Sequence, residues 1–274
     1  MTKILPVILM NCLNENLIIV IPARKNSKRL RNKNFKDFNG FPLFEWSIAA
    51  GLFLKHQLGG SRKISVICSS DDHQILDLIK KKYISNVYAI QRSAKLSDDE
   101  AMLSDVIIDC IHRLADEGMI CVDDYLGGSF ILLQPTSPIR LKNDLVNFCS
   151  QIRDLGDYHS VVSVNRRYKL IKDVYEIINT SEVNSDFSIG CIGQKLITWK
   201  DIENNNTAFV DGSLYSGSVS ILKEKGFMPE AKTLAFPLSI DNSIDIDTEE
   251  EFKDALLLIK KLKELGIEYV KPRI

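Results

Sequence analysis

The sequence predicts an α/β fold: a doubly wound, mostly parallel sheet with helices on both faces. Short apolar runs typical of strands alternate with longer stretches of helical periodicity. The strand-like runs are apolar at successive positions, as expected for strands that helices cover on both faces. The predicted strands are residues 17–21, 64–68, 87–90, 130–133 and 161–164, and the predicted helices are residues 43–56, 74–83, 103–117 and 145–155.

Length and composition fit one domain that carries an inserted segment. The chain has 274 residues, of which 45% are hydrophobic, so it can bury a substantial core. Between about residues 166 and 209 the pattern gives way to polar, asparagine-rich sequence with scattered aromatic residues, which predicts an irregular inserted arm. Order returns at residues 214–222. Thr248, followed by three glutamates, then marks the start of a last helix at residues 249–265.

Charge and cysteine content exclude several classes of protein. Lys and Arg total 35 against 36 for Asp and Glu, so nucleic acid and membrane are not expected as partners. The six cysteines form no C-x-x-C pair, and Cys68, Cys110 and Cys149 lie in apolar periodic segments. We interpret them as free core thiols of a reducing compartment, with zinc or disulfides as the weaker alternative.

The start of the chain is interpreted as a short N-terminal extension, residues 1–16, before a domain at residues 17–274. Pro6 interrupts its apolar run, and no small-residue cleavage site follows, so a signal peptide is not indicated. No apolar stretch approaches the roughly 20 residues that a transmembrane helix needs. We therefore expect a soluble, cytoplasmic protein.

The segment after the first predicted strand is the most informative. An apolar run stops at Pro22, and six Lys and Arg residues follow within residues 24–33. Loops at the carboxyl ends of parallel strands bind ligands in open α/β sheets, and clustered cations repel unless they are solvated or face a polyanion. Asn26 and Ser27 would let backbone N–H groups approach phosphate oxygens. The loop is neither a Walker A nor a G-x-G-x-x-G sequence, and it predicts a nucleoside triphosphate site, with a solvated loop as the alternative.

Asp245 and Asp247 form a second candidate site. They flank Ile246 in an extended stretch, so both carboxylates share one face while Ile246 points into the core. Mg²⁺ accepts one or two carboxylates together with phosphate oxygens, which makes the pair a candidate metal site for a bound triphosphate. The alternative is a solvated strand end.

Residues 132–140 form a third candidate, at the end of another predicted strand. Pro135 and Pro138 would fix the backbone of a polar turn. The side chains that we expect such a strand end to expose are Gln134, Thr136, Ser137 and Arg140. A structural cap for the next helix is compatible with this interpretation.

These segments together resemble the acylneuraminate (sialic acid) cytidylyltransferases, also called CMP-sialic acid synthetases. The resemblance spans roughly residues 17–265 and rests on residues 21–34, 132–140 and 243–248, and more weakly on residues 67–71 and 91–98. It implies a Rossmann-like nucleotidyltransferase fold, CTP as a substrate and Mg²⁺ or Mn²⁺ as the cofactor. It also implies a homodimer in which the segment at about 166–209 is a dimerisation arm that lends residues to the partner's site.

The resemblance further implies roles for individual residues. The residues with implied contacts to the triphosphate of CTP are Arg24, Ser27, Lys28 and Lys33. Those with implied contacts to the rest of the nucleotide are Asn34, Arg92 and Ser97. Gln134 matches a position that contacts the acceptor sugar, and Asp245 and Asp247 match the Mg²⁺-binding pair. The implied catalytic residues are Lys28, Lys33, Asp245 and Asp247.

Three departures from the family pattern concern the sugar pocket. Arg29 stands where many members have Gly, Asp211 stands where Asn is common, and residues 166–169 lack the usual His-Pro. The implied reaction transfers CMP from CTP to the anomeric hydroxyl of a sialic-acid-type nonulosonic acid and releases pyrophosphate. N-acetylneuraminic acid is the leading acceptor, before legionaminic and pseudaminic acid. The alternatives are a CMP-Kdo synthetase or another sugar nucleotidyltransferase, and a non-catalytic nucleotide-binding module.

Overall fold

One large sheet organises the part of the chain that can be described. The computed structural model describes residues 16–25, 27, 29–59, 63–98, 100–153, 158–165, 174–184, 187–195, 207–227, 232–239 and 244–273. The predicted N-terminal extension lies outside these residues, apart from its last member, Asn16. Lys28 and the segments 166–173 and 196–206 of the predicted arm also lie outside them.

The described residues contain eleven strands and seven α-helices. The strands are β1 (Leu17–Pro22), β2 (Asp37–Phe38), β3 (Phe41–Pro42), β4 (Ile64–Ser70), β5 (Tyr88–Gln91), β6 (Ser129–Leu132), β7 (Ser160–Asn165), β8 (Val174–Asn184), β9 (Phe187–Lys195), β10 (Thr207–Ser218) and β11 (Thr233–Pro237). The helices are α1 (Leu43–Leu58), α2 (His73–Lys82), α3 (Leu103–Asp116), α4 (Val122–Leu126), α5 (Lys142–Arg153), α6 (Val219–Lys225) and α7 (Glu249–Glu264). Each strand and helix predicted from the sequence is present, with ends shifted by at most a few residues.

Nine of these strands form one mixed sheet in the order β5–β4–β1–β6–β10–β7–β11–β9–β8. The strands β5, β4, β1 and β6 pair in parallel, and so do β7 and β11. Within this sheet, β9 and β10 are the described strands that run antiparallel to the rest. The prediction of a mostly parallel sheet is confirmed. The direction in which successive strands are added reverses at β1, and the carboxyl ends of strands at such a point are where open α/β sheets bind ligands.

Helices cover both faces of this sheet. The β1 side chains Leu17, Ile19 and Ile21 share one buried cluster with residues of α1, α2 and α5. Ile18 and Val20 share the opposite cluster with residues of α3, α4 and α6. Both faces of β1 are therefore buried, which explains its unbroken apolar sequence. Each buried side chain of this size contributes about 1.5–3 kcal/mol to the hydrophobic stabilisation.

The predicted arm is more regular than its sequence suggests. The strands β8 and β9 lie inside it, pair with each other and continue the main sheet through β11 and β10. Tyr175, Ile177 and Ile192 pack there against apolar residues of β7 and β10. The expectation of irregular structure is therefore wrong for these strands. Their few apolar residues are buried by neighbouring strands, so no long apolar run marks them in the sequence.

Three of the cysteines that the structure describes lie in the core, as the sequence predicts. Cys68, Cys110 and Cys149 are buried free thiols, and Cys121 is free and exposed. Burial raises the pKa of Cys68 and of Cys110 to about 12, so both thiols are protonated at neutral pH. Among the helices described, none combines the length and the apolar character needed to cross a membrane.

Candidate active site

The basic loop between β1 and the short strand β2 is anchored to the end of β4. The backbone N–H of Ala23 donates to the carbonyl oxygen of Ser69 at 2.9 Å. The backbone N–H of Lys25 donates to Oδ1 of Asp71 at 2.7 Å. These bonds hold the start of the loop at the carboxyl ends of β1 and β4, the edge at which ligand binding is expected.

Lys33 connects the basic loop to the acidic pair. It is 6% exposed, and its Nζ donates to Asp247 Oδ1 at 2.8 Å and to the carbonyl oxygen of Ile246 at 2.8 Å. Arg29 Nη2 lies 2.6 Å from the other carboxylate oxygen of Asp247. Both oxygens of Asp247 therefore face cations of the loop. As the sequence predicts, the basic loop and an aspartate of the acidic pair lie together at one edge of the sheet.

Asp245 lines a cavity of about 240 Å³ beside this contact. Burial raises the pKa of the Asp245 carboxyl. The Thr136 hydroxyl and then the Lys33 charge act against this rise, whereas the charge of Asp247 adds to it. The backbone N–H of Ile246 donates to the carbonyl oxygen of Thr136 at 2.7 Å, which ties the acidic stretch to the turn after β6. The remaining residues around the cavity are Gln134, Tyr175, Phe209, Val210, Asp211, Gly212 and Tyr215.

Arg140 holds the turn after β6 from inside. Its Nη2 donates to the carbonyl oxygens of Gln134 at 2.9 Å and of Ser213 at 3.0 Å, its Nε also donates to Ser213 at 3.2 Å, and its Nη1 donates to Ser47 Oγ at 3.1 Å. Burial lowers the pKa of Arg140 to about 9, and the charge of Asp211 opposes this, so the guanidinium stays charged at neutral pH. Arg140 thereby joins β6, β10 and α1.

The expectation that the turn exposes Arg140 and Ser137 is wrong. They are only 3% and 2% exposed, because the guanidinium needs the carbonyl oxygens of two neighbouring segments and is drawn between them. Gln134 and Thr136 are partly exposed, as expected, although the Thr136 hydroxyl oxygen is itself buried. The structural interpretation of the turn holds for Arg140. The Ser137 hydroxyl is buried without a hydrogen-bond partner among the described residues, and Gln134 lines the cavity.

On the other side of the basic loop, Arg92 and Ser97 follow β5. Arg92 is 4% exposed, and its Nε and Nη2 donate to Oγ and to the carbonyl oxygen of Ser69 at 3.1 Å and 2.7 Å. The Ser97 hydroxyl donates to the carbonyl oxygen of Ser93 at 2.8 Å and so stabilises a local turn. The strand order puts both residues two strands away from the basic loop, at the same sheet edge.

A model of the family described as cytidylyltransferase matches residues 18–183, which is more than half of the chain. The chain belongs to the cytidylyltransferase family. This agrees with the resemblance seen in the sequence. The matched region contains most of β1, the basic loop and the turn after β6.

Several curated relatives of this cytidylyltransferase carry the names of nonulosonic acid enzymes. It is 29% identical to a CMP-N,N'-diacetyllegionaminic acid synthase of Legionella pneumophila over 92% of this chain and 98% of the relative. It is 24% identical to a pseudaminic acid cytidylyltransferase of Campylobacter jejuni over 89% and 96%. Identity to an N-acylneuraminate cytidylyltransferase of Streptococcus agalactiae is 25% over 86% of this chain, which spans only about half, 51%, of that enzyme.

Solved structures support the fold of this cytidylyltransferase. A CMP-2-keto-3-deoxy-manno-octonic acid synthetase complexed with CTP matches with a TM-score of 0.58 at 15% identity, over 90% of this chain and 99% of the other. A UTP-bound UGPase of Acinetobacter baumannii matches with a TM-score of 0.56 at 10% identity, over 92% and 98%. At these identities the likeness concerns the fold alone, and it confirms the Rossmann-like α/β architecture.

The residues with implied roles are brought together only in part. Lys33 and Asp247 are in direct contact, and Gln134 and Asp245 share the small cavity. Lys28 lies outside the described residues. Arg24 and Ser27 are half-buried in the loop, where Asn34 Nδ2 donates to the carbonyl oxygen of Arg24 at 2.7 Å. All of these roles stay predictions.

Sequence reasoning missed two residues of this site, Ser69 and Asp211. Ser69 is fully buried at the end of β4, and the sequence marks it only through a weak resemblance. Asp211 is marked only as a departure from the family pattern, yet its Oδ1 accepts the backbone N–H of Ser213 at 2.9 Å. A signal for the latter was available, because Asp-Gly between strand-like runs indicates a turn, and Gly212 has a φ of +80° at a bulge in β10.

We expect Arg140→Met to lower the free energy of unfolding by about 2–5 kcal/mol, because it leaves buried carbonyl groups without a donor. The matched control is Arg113→Met, which removes an i,i+4 ion pair to Asp109 on α3 and should cost only about 0.3–0.5 kcal/mol. Urea denaturation followed by circular dichroism measures both. Similar losses in the two variants would contradict the structural role of Arg140.

Proposed function

We propose that this cytidylyltransferase transfers CMP from CTP to the anomeric hydroxyl of a sialic-acid-type nonulosonic acid and releases pyrophosphate. The observation that carries the proposal is the 2.8 Å contact between Lys33 and Asp247. It joins a cationic loop, suited to a triphosphate, to an acidic stretch that lines a cavity together with Gln134. The names of the legionaminic, pseudaminic and N-acylneuraminic acid relatives support the acceptor class.

The triphosphate of CTP would lie against the basic loop. Lys33 and Arg29 now face Asp247, and a triphosphate would offer them a larger negative charge in the same place. Cations fixed there stabilise the charge that develops on the leaving pyrophosphate. Asn34 Oδ1 is buried without a hydrogen-bond partner among the described residues, so a donor on the nucleotide would satisfy it. Both observations support contacts of the loop with CTP.

Asp245 and Asp247 would hold the divalent cation, Mg²⁺ or Mn²⁺. The donor set fits such an ion, because two carboxylates together with phosphate oxygens are the ligands that Mg²⁺ prefers. The raised pKa of Asp245 reflects a desolvated carboxylate, whose charged form a cation would stabilise. The described residues contain no group of three or more His, Cys, Asp or Glu that could hold a metal ion, so phosphate oxygens would have to complete the shell. When bound, the ion would neutralise and orient the phosphates.

The acceptor sugar would enter the cavity that Gln134 and Asp245 line. The side-chain amide of Gln134 offers both a donor and an acceptor for sugar hydroxyl groups. Asp211, Gly212 and Tyr175 of β8 line the same cavity. This arrangement puts the acceptor next to the acidic stretch, where in-line attack on the α-phosphorus of CTP would take place. Positioning of the two substrates would then supply much of the rate enhancement.

We also propose a homodimer, with β8 and β9 as the arm that meets the partner. Residues 174–176 of β8 also pair with β10, but the rest of β8 pairs with β9 alone among the described strands, so its other edge offers backbone groups to a second chain. Light scattering at micromolar concentration should give a mass near 62 kDa, twice the 31.0 kDa of one chain. Most homo-oligomers are two-fold symmetric dimers. A mass of one chain at that concentration would overturn the proposal.

A pyrophosphate-release assay with CTP and Mg²⁺ tests the reaction. The acceptor panel contains N-acetylneuraminic acid, N,N'-diacetyllegionaminic acid, pseudaminic acid and Kdo. We expect one nonulosonic acid to exceed the others by orders of magnitude in kcat/KM, because a site that hydrogen-bonds a substrate group rejects analogues that lack it. Kdo as the best acceptor would overturn the acceptor class. Binding of CTP without turnover of any acceptor would instead favour a nucleotide-binding module.

Asp245→Asn and Asp247→Asn should each lower kcat by about 100-fold or more, because each removes a charged ligand worth several kcal/mol of charge stabilisation. Asp254→Asn, at an exposed position of α7, is the matched control and should leave kcat unchanged. Circular dichroism verifies folding, and calorimetric titration with Mn²⁺ and CTP provides a readout that needs no turnover. A near-normal kcat for Asp247→Asn with Mg²⁺ would show that the metal assignment is wrong.

A further inference from the structure

Ser69 lies where the basic loop and Arg92 meet. It is fully buried at the end of β4. Its carbonyl oxygen accepts two hydrogen bonds, from the backbone N–H of Ala23 at 2.9 Å and from Arg92 Nη2 at 2.7 Å. Its hydroxyl oxygen accepts a third, from Arg92 Nε at 3.1 Å. One residue therefore holds both the first residue of the phosphate-binding loop and one whole edge of a guanidinium.

The surroundings of Arg92 make these acceptors unusually important. The guanidinium is nearly buried, and the neighbouring thiols of Cys68 and Cys110 are neutral at pH 7, because burial raises the pKa of each to about 12. No carboxylate of the described residues forms an ion pair with Arg92, and Asp71 acts on it only as a nearby charge. A buried charge needs hydrogen-bond acceptors, and Ser69 supplies two of them at fixed positions.

The hydrogen bonds to Ser69 use one edge of the Arg92 guanidinium. Its other edge is not engaged by Ser69. The bonds engage Nε and Nη2, whereas Nη1 donates to no described residue. That edge presents only donors. Cytosine carries two adjacent acceptors, N3 and O2, whereas uracil carries an N–H group at N3. A guanidinium held in this orientation would thus distinguish the two bases.

We propose that Ser69 is a positioning residue that orients Arg92 toward the base of CTP and so sets the preference for cytosine over uracil. The proposal rests on the proposed function, because it takes CTP as the substrate. Through its carbonyl oxygen Ser69 also fixes Ala23, so the base-reading and phosphate-binding parts of the site share one anchor. Ser69 touches neither base nor phosphate in this account and acts through Arg92.

The test compares Ser69→Ala with Ser65→Ala. Ser65 is a buried serine at the other end of β4, and its hydroxyl pairs with the Tyr125 hydroxyl at 3.0 Å. Ser65→Ala loses this one buried hydrogen bond, whereas Ser69→Ala loses the bond from Arg92 Nε and a hydrogen bond between the Ser69 hydroxyl and the Cys110 thiol. We expect Ser69→Ala to weaken CTP binding about 10-fold in calorimetry and to lower the ratio of kcat/KM for CTP over UTP by a similar factor, with kcat at saturating CTP nearly unchanged. Ser65→Ala should leave affinity and ratio unchanged.

A double-mutant cycle separates positioning from a general structural effect. In an Arg92→Ala background, Ser69→Ala should change CTP affinity less than about 2-fold, because the group that it orients is absent. Ser69→Thr, which keeps the hydroxyl, should recover most of the affinity, and thermal unfolding of each variant reports stability separately. Wild-type affinity in Ser69→Ala, or an equal loss in Ser65→Ala, overturns this inference alone. Failure of the wild-type protein to bind CTP overturns the proposed function and this inference with it.

Discussion

The buried guanidinium of Arg140 is the constraint on which the candidate site depends. Its donors are taken by the carbonyl oxygens of Gln134 and Ser213 and by the hydroxyl of Ser47. Arginine keeps its proton at neutral pH, and a buried charge without acceptors is strongly unfavourable. The end of β6, the bulge of β10 and the helix α1 must therefore keep their mutual arrangement. The cavity wall that carries Gln134 and Gly212 is held in place because the buried charge of Arg140 needs these acceptors.

The cations of the basic loop are held less uniformly. Lys33 is nearly buried and also donates to the backbone of Ile246, so it stays beside Asp247. The Arg29 side chain is 68% exposed, and exposed ion pairs contribute only about 0–1 kcal/mol. The contact of Arg29 with Asp247 can thus open at little cost when a triphosphate arrives. Under the proposed function, Lys33 would define the place of the phosphates, and Arg29, at a position where many members of the family have Gly, would follow them.

How far the sequence predicts this molecule depends on how local each signal is. The strands β1 and β4 and the helix α1 are readable because burial leaves apolar runs or periodicity in adjacent residues. Burial of Arg140 is not readable, because its acceptor Ser213 is 73 residues away in the chain. The pairing of β8 with β9 is likewise decided by neighbouring strands. The basic loop and the acidic pair could be identified as candidate site residues from their charge alone, whereas the contact of Lys33 with Asp247 depends on the fold.

Arg92 and Arg140 are buried cations on opposite sides of the basic loop, and both need hydrogen-bond acceptors. Each guanidinium is buried, and each donates to backbone carbonyl and serine hydroxyl groups rather than to a carboxylate. Such neutral acceptors satisfy the hydrogen bonds but do not cancel the charge. Burial keeps both charges from being screened by water, so they add to the positive potential of the exposed loop. Because the whole chain has a net charge of -1, this potential is local, and it favours a polyanion at the carboxyl ends of β4, β1 and β6.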